Sequence, residues 1–356
     1  MEESYSLERI PLNPPVIKPV EKGTMRPMWS IMIPVYNCIS YIENTLISVL
    51  NQDLGPERME IIVVDDCSTD GDVSALVNRI GKGRVVYFKQ AQNVGQFRNF
   101  ETCINLSKGY YIHILHGDDE ILDGFYKEIE SLFNTYPEVG AAFTNYQYID
   151  SKGETIWNNY KLTETKGVLN NWLTTIAENQ RLQFCCNVVK RTTYEKLGSF
   201  YGLECVEDWL MWVRIAANFP VAYSPETLAS YRVFDTNVTG VNLISGKFFN
   251  NSLKCIELFR EYLPKNEVEK TIKIAHKNLA ENYARLSHRI YHDLNDTKAA
   301  CRNSISCLKL KLNLVTIKFA LLLFIKIIFR YKEIKKIKGK LSLNIKSITF
   351  IYHFIN

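Results

Sequence analysis

Short apolar runs alternate with segments of helical spacing along the first half of the chain, and this alternation restricts the fold more than any other feature. The segments between the apolar runs repeat apolar residues every three or four positions, which predicts helices. Strands that alternate with helices form βαβ units around a parallel sheet covered on both faces. We therefore predict an α/β fold with a mostly parallel central sheet flanked by helices. The predicted strands are Ile31–Tyr36, Met59–Val64, Val85–Phe88, Tyr110–Leu115 and one that begins at Gly140.

The composition is that of a globular protein able to bury a large core: 356 residues, 46% hydrophobic and 23% charged. The nine cysteines are scattered without a Cys-x-x-Cys pair, and the adjacent Cys185 and Cys186 cannot easily bridge. This pattern favours reduced thiols over a disulfide framework or a zinc site. The first ten residues are acidic and lack an apolar run, so we expect no signal peptide. Together these features predict a cytoplasmic protein.

Composition and charge divide the chain into four predicted segments. Residues 1–28 are proline-rich and predict an extended arm, 29–240 form the main domain, and 241–308 form a helical extension. Residues 309–356 form a basic tail with eleven Lys or Arg side chains against one acid, Glu333. Charge of one sign gathered in a tail indicates an acidic partner for that tail.

The tail contains an apolar stretch that is a poor membrane span. Residues 314–329 are almost wholly apolar, but Lys318 and Lys326 interrupt them, and a spanning helix disfavours such charges. We predict an amphipathic helix that lies on an anionic membrane surface at the inner face of the plasma membrane. The alternative is a helix packed on the domain with its lysines at the rim.

Asp118 and Asp119 directly follow a predicted strand and form the sharpest chemical signal in the chain. Adjacent carboxylates repel each other, and a hard divalent cation with oxygen ligands relieves that repulsion. Such a cation can bridge the phosphates of a nucleotide and stabilise a leaving diphosphate. The alternative is that Asp118 caps the following turn and Asp119 is merely solvated. Ligands of open α/β sheets bind beyond the carboxyl ends of the strands, where this pair lies.

Two further acidic pairs have a structural and a functional interpretation each. Asp66 follows the second strand, where a carboxylate can accept hydrogen bonds from a nucleobase; alternatively Asp66, Ser68 and Thr69 cap the next helix. Glu207 and Asp208 begin a helix, where a carboxylate can act as a general base; alternatively they compensate the helix dipole. Taken singly, the structural interpretation is favoured for both pairs.

Six sequence motifs follow one another along the main domain: PVYN (34–37), VVDDCSTDG (63–71), NVG (93–95), LHGDDEILDGFY (115–126), VEDWLMWVRIA (206–216) and YSPETLASYRV (223–233). In their order and spacing these motifs resemble the family 2 glycosyltransferases over roughly residues 29–240. The resemblance implies a GT-A fold, an inverting single displacement, a nucleotide-sugar donor and Mg²⁺ or Mn²⁺. The absence of a Gln-x-x-Arg-Trp motif after the Glu-Asp-Trp helix indicates addition of a single sugar, in the manner of non-processive bacterial surface-polysaccharide enzymes.

The resemblance also implies roles for individual residues. Asp119 would ligate the metal, with Asp118 near the ribose and diphosphate. Asp208 would be the catalytic base, with Glu207 as a substitute. The remaining implied donor contacts are Pro34 and Tyr36 beside the nucleobase, Asp66 binding the nucleobase, and Arg98 approaching the diphosphate, unless Arg98 is a solvated helix charge.

Two positions depart from the family pattern. His116 replaces the first acid of an Asp-x-Asp-Asp metal motif. Phe234 occupies a position where many relatives have a histidine, so we expect no third protein ligand for the metal. The acceptor implied by the family is a glycan or a lipid-linked glycan, and no nucleic acid is expected. A catalytically silent nucleotide-sugar or glycan-binding module and a nucleotidyltransferase are the alternatives, although the acid at 208 argues against the first.

Overall fold

A computed structural model describes residues 8–233 and 246–329 of the chain. These residues form two compact units. The first unit contains the described residues up to Trp172 together with Leu182–Leu203 and Met211–Arg232. The second unit contains Leu173–Arg181, Glu204–Leu210 and the described residues from Val233 onward. The segment boundaries at 240 and 308 remain predictions, and Phe234 and the end of the tail lie outside the described residues.

The first unit is built around one sheet whose first four strands are parallel. Their order is β3-β2-β1-β4, so β1 lies in the centre of this group, and all seven of its residues are buried. Ligand-facing loops therefore leave β1, β2 and β4 at the same edge of the sheet. The strands are β1 (Trp29–Val35), β2 (Met59–Asp65), β3 (Val86–Lys89) and β4 (Tyr111–Ile114).

The remaining strands extend this sheet in mixed orientation. β9 runs antiparallel between β4 and β6, β10 is parallel to β6, and β5 is antiparallel to β10. The α/β fold class is thus confirmed, with a parallel half and a mixed half. The strands are β5 (Glu120–Ile121), β6 (Ala141–Ile149), β7 (Thr155–Asn158), β8 (Gly167–Val168), β9 (Asn187–Lys190) and β10 (Val221–Arg232).

Seven helices follow the strands up to residue 218. The helix after β2 begins at Asp72, whose side chain accepts a hydrogen bond from Ala75 N at 2.9 Å. The capping alternative for Asp66, Ser68 and Thr69 is therefore wrong, because Asp72 occupies the cap position. The helices are α1 (Ile42–Leu50), α2 (Val73–Gly81), α3 (Gln96–Leu106), α4 (Phe125–Thr135), α5 (Trp172–Glu178), α6 (Arg191–Leu197) and α7 (Glu207–Asn218).

Among the described residues from 246 onward, four more helices belong to the second unit: α8 (Lys247–Leu258), α9 (Val268–His292), α10 (Thr297–Leu310) and α11 (Leu314–Ile328). The last three share an apolar core around Ile290, Tyr291, Ala300 and Leu323. α11 therefore packs one face on α9 and α10, as the alternative interpretation of the tail proposed. Its other face exposes Leu314, Leu321, Ile325 and Ile328. Within residues 8–233 and 246–329, the helices are too short or too polar to cross a bilayer.

Candidate active site

The turn after β4 places three possible metal ligands together. His116, Asp118 and Asp119 each offer one ligand atom, and these atoms lie within 4.8 Å of one another. Gly117 separates His116 from the acids, and a Cβ there would lie 2.8 Å from Cys38 Sγ and 3.0 Å from Val35 Cγ2. Only glycine therefore lets the turn lie this close to the end of β1.

Asp119 is held by contacts from distant parts of the first unit. The backbone N–H of Arg232, on β10, donates to Asp119 Oδ1 at 2.9 Å. Thr45 Oγ1, on α1, donates to the Asp119 carbonyl at 2.7 Å. Asp119 is 1% exposed, and its Oδ2 atom is buried without a hydrogen-bond partner among the described residues. A buried oxygen without a donor is an expected feature where a cation binds.

The Arg232 side chain fastens the same acidic turn. Its guanidinium donates to the carbonyl oxygens of Asp118 at 2.8 Å and Asp150 at 2.7 Å, and it pairs with the Glu120 carboxylate. Arg232 is 1% exposed, and its guanidinium carbon lies 4.9 Å from the centre of the Tyr41 ring. Because an arginine presents a rigid fork of donors, it can fix three oxygen atoms at once.

Burial controls the charges in this turn. Desolvation, and then the neighbouring Asp118, raise the pKa of Asp119 well above its usual value. Desolvation also raises the pKa of Asp118 to about 6 and lowers the pKa of His116 to about 4. The free energy of ionising either carboxylate is thus high without a compensating positive charge, and the imidazole is neutral at pH 7. Two carboxylates and a neutral imidazole are donors that fit a divalent cation such as Mn²⁺.

The loops after β1 and β2 are joined by short polar contacts. Asn37 N donates to Ser68 Oγ at 3.0 Å, and Thr69 N donates to Asn37 Oδ1 at 2.8 Å. Asn37 has a φ of 50°, a left-handed conformation that asparagine tolerates. Pro34 is buried in the last part of β1, whereas Tyr36 is 52% exposed. Tyr36 therefore offers an aromatic face to solvent at this edge of the sheet.

Asp66 organises the loop that precedes α3. Its carboxylate accepts hydrogen bonds from Val94 N at 2.7 Å, Gly95 N at 2.9 Å and Asn93 Nδ2 at 3.0 Å. Desolvation raises the pKa of Asp66, and the two backbone N–H groups oppose that rise. The structure thus brings the NVG segment and the end of β2 together.

Arg98 is held by protein groups in the structure. Its Nε donates to the Glu8 carbonyl at 2.9 Å, and Nη1 pairs with Glu101 at 2.7 Å. The side chain is 19% exposed. The alternative of a solvated helix charge is therefore wrong, because the guanidinium is mostly covered. Its predicted approach to a diphosphate stays a prediction.

Glu207 and Asp208 lie in the second unit, at the start of α7. Gln180 Nε2 donates to Asp208 Oδ2 at 2.5 Å, and Trp209 N donates to Oδ1 at 2.8 Å. Both acids are 8% exposed, so desolvation raises the pKa of Asp208 to about 7 and that of Glu207 to about 8. A carboxylate with a pKa near the working pH is suited to general base catalysis.

The residue before this pair has an unusual backbone conformation. Val206 has a φ of 61°, in the left-handed region that a β-branched residue strongly disfavours. Its side chain is 3% exposed, so the surrounding packing keeps it there. Strain of this kind concentrates at functional sites, which supports a functional interpretation of Glu207 and Asp208.

Sequence reasoning missed three contributors to these sites. Arg232 lies in one of the motif segments, but its contacts with residues more than 80 positions away left no local signal. His116 was recognised only as a departure from a metal motif, and its place beside the two acids is set by the turn. Nothing in the sequence around Gln180 indicates that it contacts Asp208.

A mixed sheet flanked by helices, with an acidic turn at the carboxyl ends of its parallel strands, is the architecture of the GT-A fold. The structure of S. aureus TarS 1-349 in complex with UDP-GlcNAc has a TM-score of 0.58 and 15% identity, covering 79% of this chain and 81% of that one. The mannosyltransferase PcManGT from Pyrobaculum calidifontis, in complex with GDP-Man and Mn²⁺, has a TM-score of 0.54 and 15% identity, covering 92% of this chain and 88% of that one. These likenesses show the fold.

Sequence comparison identifies the family. The sequence pattern of the family described as Glycosyl transferase family 2 matches residues 30–197. The chain is also 32% identical over 132 residues to the putative teichuronic acid biosynthesis glycosyltransferase TuaG of Bacillus subtilis, covering 36% of this chain and 50% of that protein. It spans less than two thirds of the length of the first curated relatives it matches. Residues 30–197 therefore carry a glycosyltransferase family 2 domain.

Proposed function

We propose that this glycosyltransferase moves a sugar from a nucleoside-diphosphate donor to an acceptor hydroxyl with inversion, in the assembly of a cell-surface polysaccharide or glycolipid. The observation that carries the proposal is the buried Asp119 Oδ2 beside Asp118 and His116. TuaG, a relative named for teichuronic acid biosynthesis, supports the polysaccharide role. The nucleotide sugars bound by TarS and PcManGT support the class of donor.

Asp119 would hold Mg²⁺ or Mn²⁺, with Asp118 and His116 beside it, and that ion would offset the charge of the leaving diphosphate. The Mn²⁺ of PcManGT supports this choice of cofactor. Asp208 accepts the proton of the acceptor hydroxyl. The hydroxyl oxygen forms a bond to the anomeric carbon as the bond from that carbon to the diphosphate oxygen breaks, so the configuration inverts.

Two substitutions separate donor binding from chemistry. We expect Asp119→Ala to abolish Mn²⁺-dependent binding of a nucleoside diphosphate, measured by titration calorimetry. We expect Asp208→Asn to leave binding within about twofold and to lower sugar transfer by at least about a hundredfold, because a base contributes factors of that order. Asp123→Ala, which removes an exposed carboxylate near the acidic turn, is the matched control.

The outcomes distinguish the candidate functions. Full transfer activity in Asp208→Asn would show that another group is the base. Wild-type protein that binds the donor but never releases nucleotide would indicate a binding module. Release of pyrophosphate from a nucleoside triphosphate would indicate a nucleotidyltransferase.

We further propose that the C-terminal tail binds an anionic membrane surface from the cytoplasmic side. α11 supports this, because Leu321 is 58%, Ile325 49% and Ile328 73% exposed on a helix that also carries Lys318. Apolar side chains flanked by lysines are the features of interfacial helices. The basic residues that follow in the sequence would add attraction to acidic headgroups.

Co-sedimentation of the full chain with vesicles tests this proposal. Replacing Leu321, Ile325 and Ile328 together by Gln is expected to reduce sedimentation with acidic vesicles several-fold, because about 0.8 kcal/mol is lost for each apolar CH₂ no longer buried. The double substitution of Val16 and Met25 by Gln, at exposed apolar positions of the arm, is the control. Equal sedimentation of the triple variant and wild type would refute the tail as the membrane-binding element.

A further inference from the structure

The N-terminal arm reaches the loop that Asp66 organises, and this contact suggests how the donor base is selected. We propose that Arg9 completes the nucleobase site by donating to a base carbonyl next to the base N–H that Asp66 accepts. This pairing selects bases with an N–H beside a carbonyl, which are uracil, thymine and guanine, over adenine and cytosine. The inference rests on the proposed function, because it assumes a nucleotide donor at Asp66.

The arm is fixed to the first unit by backbone contacts. Gly202 N donates to the Pro11 carbonyl at 2.8 Å, and Ser199 N donates to the Pro15 carbonyl at 2.9 Å. Ile17 is 1% exposed. Arg9 lies only two residues from an anchored carbonyl, so its position is constrained by the fold.

Arg9 is linked to Asp66 through one side chain. Its Nη2 donates to Asn93 Oδ1, and Nη1 lies 3.4 Å from the Asn93 carbonyl. Asn93 Nδ2 in turn donates to Asp66 Oδ2 at 3.0 Å. Asn93 therefore places a cationic donor beside a carboxylate acceptor, and the Arg9 charge also opposes the rise in the pKa of Asp66.

Both partners keep hydrogen-bonding capacity for a ligand. A guanidinium has five N–H donors, and Asn93 engages only part of those of Arg9. Asp66 Oδ1 accepts from Val94 N, which leaves it a second acceptor position. Glu101 pairs with Arg98 on α3, whereas the ion pairs found among the described residues do not include Arg9. Gly95 leaves space for the guanidinium, because a Cβ there would lie 3.2 Å from Arg9 Nε.

A carboxylate acceptor next to a guanidinium donor can distinguish bases by the hydrogen-bonding groups on their edges. Uracil presents N3–H beside O4, and guanine presents N1–H beside O6, so each matches a carboxylate beside a guanidinium. Adenine and cytosine present a ring-nitrogen acceptor beside an amino donor, which is the reverse order. When a base with the reverse order binds, the carboxylate and the guanidinium of the site are left without hydrogen-bond partners. Such a base therefore binds much more weakly.

Titration calorimetry of the full chain with UDP, GDP, ADP and CDP in Mn²⁺ tests the inference. We expect wild type to bind UDP or GDP at least about tenfold more tightly than ADP and CDP. Arg9→Gln should weaken the preferred nucleotide about tenfold and leave the others nearly unchanged, so the preference is lost. Arg9→Lys should recover only part of it, because a lysine lacks the fork.

Arg26→Gln is the matched control, because Arg26 also lies on the arm but donates to the carbonyls of Lys108 and Gly109. It should keep the wild-type preference. Equal losses in Arg9→Gln and Arg26→Gln would overturn the inference, since the arm would then act only by its docking. Unchanged or tighter nucleotide binding by Arg9→Gln would overturn it too. A wild-type chain that binds none of the four nucleotides would instead refute the proposed function.

Discussion

The backbone N–H of Arg232 donates a hydrogen bond to Asp119 Oδ1 at 2.9 Å, although 113 residues separate the two. This bond fixes one carboxylate oxygen and leaves Oδ2 buried with no donor among the described residues. The unsatisfied oxygen raises the free energy of the ionised site without a cation. Asp119 is thus oriented for a ligand before any ligand arrives.

Arg232→Lys tests whether the arginine fork maintains this orientation. Lysine keeps the positive charge but cannot hold the carbonyls of Asp118 and Asp150 and the Glu120 carboxylate together. We expect urea unfolding to show a loss of about 1–3 kcal/mol. We also expect calorimetry to show about tenfold weaker Mn²⁺-dependent nucleotide binding, equivalent to about 1.4 kcal/mol.

Arg79→Lys is the control for that experiment, because Arg79 pairs with Glu43 on the surface. Its urea midpoint and nucleotide affinity should match those of wild type. If Arg232→Lys also matched wild type in both measurements, the guanidinium would have no role in positioning the turn.

Gly117→Ala tests the packing of the acidic turn without removing a carboxylate. The added methyl group would lie 2.8 Å from Cys38 Sγ, so the turn or the end of β1 must move. We expect at least about tenfold weaker Mn²⁺-dependent nucleotide binding, because displacements near 1 Å are costly in such sites. Combining it with Cys38→Gly removes the nearest atom and should restore part of the affinity. No recovery would indicate that Val35 or the backbone sets the limit.

The regular part of the first unit could be predicted from the sequence. The first four strands lie within two residues of their predicted bounds, because each is a clear apolar run that ends at a turn signal. The apolar run Phe184–Val189 predicts a strand, and this prediction is partly wrong. Phe184–Cys186 forms a 3₁₀ turn whose side chains are buried, and β9 begins only at Asn187. An apolar run alone does not distinguish a buried turn from a strand.

The candidate site was predictable in its acids but not in the residues that support them. Asp66, Asp119 and Asp208 follow strand ends or begin a helix, which is visible in the sequence. Gln180 and Arg9 contact these sites through tertiary structure, and no period or spacing encodes such contacts. The sequence predicts a final strand over Leu228–Phe234, but that strand begins at Val221, because register shifts between Ser224 and Ala229 interrupt its apolar pattern.

The pH dependence of transfer should report the base. Asp208 must be ionised to accept a proton, and its pKa is raised to about 7, chiefly by desolvation. We therefore expect kcat/KM to rise with pH up to about 7 and then to level off. Gln180→Leu removes a hydrogen bond that lowers this pKa, so the inflection should move to higher pH.

Asn179→Leu is the control for the pH profile, because Asn179 pairs with Asn282 rather than with Asp208. Its inflection should coincide with that of wild type even if its activity is lower. Two results would argue against Asp208 as the base. One is a profile without an inflection between pH 6 and 8, about one unit on either side of the raised pKa. The other is an inflection that does not move in Gln180→Leu.

The contact between α9 and α11 should weaken in acid. Lys326 Nζ lies 3.2 Å from His288 Nδ1 and 3.1 Å from His292 Nε2, so the ammonium can donate to neutral imidazoles. His288 Nε2 lies 2.8 Å from the Phe319 carbonyl, which makes Nδ1 the acceptor. Desolvation, and more weakly the Lys326 charge, lower the pKa of His288 from 6.5.

A histidine whose pKa is lower in the folded state stabilises the fold above pH 6.5, and that contribution is lost as the pH falls through the lowered value. We expect amide exchange in α11, corrected for intrinsic rates, to be faster relative to the rest of the second unit at about pH 5.5 than at about pH 7.5. Lys326→Met removes the repelling charge and should reduce this difference. Lys318→Met, at an exposed position of the same helix, should not. Equal protection of α11 at both pH values would show that the imidazoles do not control the contact.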